Sequence, residues 1–277
     1  MSNNIGFMQG RLSPLVDGKI QAFPKDHWQA EFPLAEKIGL SLMEWTLDQE
    51  GLRQNPLLTP DGRREIQGLC QAHGVSIETL TADCFMQAPF FKVAGEERQA
   101  LLDDLRAVLQ GAGEVGVRLV VLPLVDNGAL KRLVEEKALR DGLLALIPLL
   151  EQTGVRIIFE SDFPPPWLST FIATFPKDHF GINYDIGNSA ALGFDPEEEM
   201  AAYGSRIWNV HVKDRLLGGT TVPLGQGSAD FPRVFSLLKK SGYGGRYILQ
   251  TARAKEEAHW ELLQGYADQV SHWLKEG

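Results

Sequence analysis

Four apolar runs in this chain each stop at a side chain able to face a cation: "RIIFE" at Glu160, "INYD" at Asp185, "NVH" at His211 and "YILQ" at Gln250. Two carboxylates and an imidazole offer oxygen and nitrogen donors that suit a divalent ion such as Mn, Mg, Co or Zn. Singly, each has a plainer use. Glu160 could be a charge emerging into solvent, Asp185 a helix cap, and His211, flanked by Val210 and Val212 whose side chains face away from it, a satisfied histidine within a strand. Their equivalent places on successive strands make the joint reading stronger. Two buried carboxylates repel each other unless a positive charge lies between them, and a metal supplies that charge.

Such residues need a scaffold that ends several strands at one place. Short β-branched or aromatic runs ("NIGFMQG", "SLMEWTL", "VSIETLTA", "RLVVLPLV", "VRIIFES", "FGINYDI", "IWNVHVK", "RYILQ") alternate with stretches of helical period at 97–114, 131–152, 231–241 and 255–275. Gly39, Gly74, Gly116, Gly154 and Gly242 stand where helices end, supplying the left-handed residue that closes a helix C-terminus. Eight strand–helix units predict an α/β fold, a closed (β/α)8 TIM barrel, with residues 1–277 as one domain. The competing doubly wound sheet fits less well, because "GFMQGRLSP" after the first strand lacks a complete glycine-rich phosphate fingerprint. In a barrel the strand ends form one mouth, here Gln9, Arg11, Glu44, Thr81, Asp83, Pro123, Asp126, Glu160, Asp185, His211 and Gln250.

Composition narrows the partners. The chain has 277 residues, 44% of them hydrophobic, enough for a sizeable core, and its apolar stretches break well before the ~20 residues of a membrane span. A net charge of -9 opposes binding to a phosphate backbone, so neither nucleic acid nor membrane is expected as a partner. Two cysteines, Cys70 and Cys84, are too few for a disulfide scaffold and, with no secretory leader visible, point to the cytoplasm.

At "IGFMQGRLSP", "FES", "YDIGNSAALG", "VHVKDR" and "PLGQGSADFPRVFSLLKKSGYGGRYIL" the sequence resembles the xylose isomerase-like barrel superfamily, specifically its sugar and sugar-phosphate isomerases and epimerases. The resemblance spans most of the chain. It implies one divalent metal held by Glu160, Asp185, His211 and the residue at 250, where the group carries a second glutamate and this chain carries Gln250. It also implies an enediolate mechanism in which the two flanking glutamates act as opposed bases. A carboxamide offers a metal one neutral oxygen and accepts no proton near neutral pH, so Gln250 weakens the cation site and removes one base. That shifts weight from epimerisation toward aldose–ketose isomerisation, which needs only Glu160. Asn188 stands where ketose epimerases often carry a substrate-binding histidine, keeping a donor but losing titration. The DNA-repair branch of the superfamily requires a histidine-rich three-zinc cluster, which this acidic chain does not match.

Further residues near the mouth have two uses each. Lys213 and Arg215 either bind a substrate hydroxyl, carboxylate or phosphate, or pair locally with Asp185 and Asp214. Glu44 is expected to hydrogen-bond a sugar hydroxyl. Trp28, Phe85, Phe90, Phe91 and Trp167 either stack on a sugar face or pack their loops. The reading is therefore a metal-dependent isomerase or epimerase of a sugar or sugar phosphate, with a homodimer or homotetramer expected and "WELLQGYADQVSHWL" in the last helix as a contact surface. The alternative is a sugar-binding or regulatory barrel that has lost turnover through Gln250.

Overall fold

The computed structural model describes residues 4–254 and 259–276. Eight parallel strands, Ile5–Met8, Leu42–Thr46, Ser76–Thr81, Leu119–Leu124, Arg156–Ser161, Phe180–Asp185, Ile207–Val212 and Arg246–Leu249, close into a barrel in sequential order. Closure is made by the first strand pairing with the last, Ile5 against Tyr247 and Phe7 against Leu249. The expected (β/α)8 architecture is the observed one.

Alternation along the strands explains the interior. Leu119, Val121 and Ile158 form a small apolar floor cluster, with Trp208 packed against it. Two residues further on, the same faces present Pro123 and Glu160 to the mouth, since side chains two apart share a face. Val210 and Val212 face the other way, into the layer between strands and helices, where both are fully buried. That outer layer is the main core. Phe159 packs there against Phe171, Phe175 and Phe180, with ring centroids 5.0–6.1 Å apart, and each such buried ring contributes roughly 1.5–3 kcal/mol.

All five glycines expected to end helices have positive φ, from 62° at Gly74 to 100° at Gly116. The helix expected over 131–152 is instead two, Leu133–Leu144 and Ile147–Thr153. Pro148 in the first turn of the second piece has no N–H to continue the hydrogen-bond ladder, so the chain resets at Ala145–Leu146. The last helix runs from His259 to Glu276, and the expected start at 255 lies outside the described residues. Among the described residues no helix is long and apolar enough to cross a membrane.

One feature has no counterpart in the sequence reading. After the seventh strand, Asp214–Arg215 pairs antiparallel with Thr221–Val222 to form a short hairpin over the mouth. Asp214 is fully buried and its carboxylate accepts the backbone N–H groups of Gly225, Gly227 and Ala229 at 2.8, 2.8 and 3.2 Å. A Cβ at Gly227 would sit 2.1 Å from Asp214 Oδ1, so the "GQGSADF" motif is the backbone complement of this one carboxylate.

Candidate metal centre and active site

Strand register brings the chemistry together. Asp185 stands beside His211 across the sixth and seventh strands. Gln250 follows the Leu249–Val212 pair, its backbone N–H donating to the Val212 carbonyl at 3.1 Å. Asp185 also ends its strand by capping the helix Ile186–Leu192, accepting the Asn188 N–H at 2.8 Å. That helix can lie against the end of the seventh strand because Gly187 has no Cβ, which would meet the Lys213 carbonyl oxygen at 2.8 Å.

Glu160, Asp185 and His211 each present a ligand atom within 4.8 Å of the others, and all three are buried. Glu160 is held on both oxygens, by Asn183 Nδ2 on Oε2 at 2.8 Å and by Asn188 Nδ2 on Oε1 at 2.9 Å. His211 Nδ1 lies 3.0 Å from Glu160 Oε2, and Nε2 lies 2.7 Å from Glu44 Oε1. Burial alone would push the imidazole down, but Glu44 and Glu160 on either side outweigh it and raise it to about 10. Burial also pushes Glu160 up, and His211 brings it below the usual carboxylate range. For Asp185, burial wins and the carboxyl is raised.

These residues fit a cation. Asp185 Oδ2 is buried with no aligned hydrogen-bond donor and meets only the Lys213 ammonium, at 2.6 Å. The same ammonium donates to Gln250 Oε1 at 3.0 Å, so Asp185 and Gln250 are bridged by a single positive charge. Two carboxylates and an imidazole from adjacent strands are donors that suit a hard or borderline divalent ion.

Above the cluster opens a cavity of about 390 Å³, lined by Arg11, Thr81, Asp83, Pro123, Asp126, Glu160, Asp162, Asn188, Lys213, Arg215 and Gln250 among others. Of the two uses expected for Lys213 and Arg215, Lys213 takes the local pair, with Asp185. Arg215 pairs with neither acid. It donates to Asn188 Oδ1 at 2.8 Å and to the Gly219 carbonyl at 2.7 Å.

Glu44 is placed elsewhere than expected. It is fully buried beneath His211, outside the cavity lining, and accepts from Thr81 Oγ1 at 2.5 Å and Asn209 Nδ2 at 3.0 Å. It fixes the orientation of the imidazole from behind, as a carboxylate does for a histidine that binds a metal through its other nitrogen. Trp28, Phe85, Phe90 and Phe91 are packing residues, at most 3% exposed, and Trp167 stacks on Phe163 at 4.0 Å; none of the five lines the cavity.

Sequence reasoning missed Asn183 and Asn209, which link Glu160, His211 and Glu44 through hydrogen bonds of 2.8–3.0 Å. The signal was there: each asparagine lies two residues before a candidate ligand, Asp185 or His211, on the same inward face.

Residues 32–276 match the xylose isomerase-like TIM barrel family. The chain belongs to that family. Within it, 238 residues are 28% identical to the L-ribulose-5-phosphate 3-epimerase UlaE of Escherichia coli (strain SMS-3-5 / SECEC), covering 80% of this chain and 81% of that one. Among solved structures, the fold is similar to a D-psicose 3-epimerase from Clostridium cellulolyticum H10, described with D-tagatose, at a TM-score of 0.76 and 11% identity over 98% of this chain and 99% of that one. It is similar also to the IolI protein with a binding zinc atom, at a TM-score of 0.75 and 19% identity over 99% and 98%.

Proposed function

We propose that this chain is a cytoplasmic, divalent-metal-dependent isomerase or epimerase that moves a proton next to the carbonyl of a ketose or ketose phosphate. The observation that carries the reading is the buried Glu160–Asp185–His211 cluster opening onto a polar cavity. Relatives at 27–28% identity over 80% of the chain that bear the name of a 3-epimerase support the same chemistry.

Glu160, Asp185, His211 and the carbonyl oxygen of Gln250 would hold the ion, which supplies electrostatic stabilisation of the enediolate oxygens. Glu160 removes the carbon-bound proton; Asn183 and Asn188 fix the carboxylate so that it faces the cavity in one orientation. The electron pair left on carbon moves into the enediolate. Glu160 then returns the proton to the neighbouring carbon in an isomerisation, while the hydroxyl proton of the first carbon passes to the former carbonyl oxygen. Epimerisation needs a second acid–base group on the opposite face, and a carboxamide such as Gln250 neither gives nor takes a proton near neutral pH. The names of the relatives favour epimerisation and the carboxamide favours isomerisation, so the product distinguishes the two.

The test is proton exchange from deuterated solvent into a panel of ketoses and their phosphates, with Mn²⁺ present and after chelation. Exchange that vanishes in Glu160→Gln supports the reading. Gln250 also supports a second reading, a sugar-binding barrel without turnover, for which the outcome would be sugar binding with no exchange from any compound.

A further inference from the structure

The charges around the mouth are sorted by position. Strands order sequentially around the barrel, so those numbered seven, eight and one are neighbours, and those numbered three, four and five lie across from them. The cations lining the cavity, Arg11, Lys213 and Arg215, follow the first and seventh strands. The acids Asp83, Asp126 and Asp162 follow the third, fourth and fifth.

Lys213 is committed to Asp185. The two arginines are not committed to any acid among the described residues. Arg11 is 5% exposed, yet its guanidinium meets only neutral oxygens, those of Thr251, Ile20 and the Gln21 side chain, at 3.0–3.1 Å. Arg215 likewise meets only Asn188 Oδ1 and the Gly219 carbonyl. Arg98, Arg206 and Arg253 also donate to backbone carbonyls without an ion pair among the described residues, but none of them lines this cavity, whereas Arg11 and Arg215 both do. The buried Arg11 has Glu31 and Asp83 only at longer range, and an anion in the cavity would give it a direct charged partner. Neutral acceptors also hold each fork in place while leaving N–H groups and the full charge for a ligand, as bidentate oxyanion recognition requires.

We infer that Arg11 and Arg215 receive a phosphate ester of the substrate on the arc of the first and seventh strands, so that its hydroxyl groups lie toward Asp83, Asp126 and Asp162. This rests on the proton-transfer reading above and assigns its substrate class, a phosphorylated ketose rather than a neutral one. Arg215 also ties recognition to chemistry, because Asn188 accepts from Arg215 and donates to Glu160. An anion drawing on Arg215 therefore acts one hydrogen bond away from the base.

The experiment compares each ketose with its phosphate in solvent exchange, in the parent protein and in Arg215→Gln and Arg215→Lys. It adds a calorimetric titration with inorganic phosphate. Arg11→Lys serves as the second site, since it keeps the buried charge while removing the fork. Loss of one charge-assisted hydrogen bond should raise KM for the phosphate ester about tenfold to a hundredfold in Arg215→Gln, with a smaller rise in Arg215→Lys. A phosphate ester that exchanges with a KM no lower than that of its neutral ketose, and that the arginine variants do not alter, would overturn the inference and leave the proton-transfer reading standing. Exchange with no compound would count against that reading, and inorganic phosphate then decides this one: binding lost in Arg215→Gln upholds the anion site, and no binding in the parent overturns it.

Discussion

Replacing Glu44 with glutamine tests whether the histidine of the cluster is positioned from below. The carboxylate accepts three hydrogen bonds, at 2.7 Å from His211, 2.5 Å from Thr81 and 3.0 Å from Asn209, with no exposure to water. A carboxamide keeps one acceptor. Either orientation turns its NH₂ toward another donor, Asn209 in one case and His211 with Thr81 in the other. One charge-assisted hydrogen bond is lost, worth about 1.5–3 kcal/mol, and a buried donor is left unmatched. For a domain of this size that corresponds to a melting temperature lower by roughly 3–10 °C in the metal-free protein. With its orienting partner gone, His211 should hold Mn²⁺ about 10- to 100-fold more weakly. Calorimetric Mn²⁺ titration and thermal denaturation of the chelated protein measure the two effects separately. A folded Glu44→Gln protein that binds Mn²⁺ within twofold of the parent would refute the argument, since Glu44 would then be a structural acid with no hold on the metal site.

Other outcomes follow from neighbouring residues. Glu160→Gln should lower solvent exchange by about 10²- to 10⁴-fold while the fold is retained, as judged by circular dichroism. Gln250→Glu should strengthen Mn²⁺ binding about tenfold or more by adding a third anionic ligand; calorimetry that finds no change would remove position 250 from the ligand set. Asp214→Ala orphans three backbone donors and should cost about 3 kcal/mol or more, seen in denaturant unfolding and in faster amide exchange at Gly225, Gly227 and Ala229. Glu31, fully buried and accepting from the Gly10 and Leu12 amides, is pushed up to about 7 by burial. Because its folded value lies above the unfolded one near 4.5, its contribution is present in full below about pH 4.5 and is lost as pH rises through 7. Urea midpoints should record about 3 kcal/mol lost between those limits, and Glu31→Gln should remove that part of the pH dependence.

The barrel was legible because its signals are local: apolar runs of strand length, helical periods between them and glycine at helix ends all lie within a few residues of one another. The candidate ligands were legible for the same reason, each standing at the end of a short strand-like run. What sequence did not disclose depends on which side chains meet across strands. Glu44 is the third of five residues in Leu42–Thr46 rather than a strand end, and its place beneath His211 follows from a contact across the barrel between the second and seventh strands, which are neither paired nor close in sequence. Arg215 carried two equal readings because Asp214 adjoins it in sequence, whereas in space that carboxylate is turned away to three amides from the following loop.

That carboxylate has a consequence for how the chain after the seventh strand is held. Three amides are anchored to one buried acid and Gly227 has no room for a side chain, so the 223–229 stretch is pinned to the residue that adjoins Lys213 and Arg215. A side chain introduced at position 227 would push this stretch off its anchor and shift the ammonium and guanidinium beside it.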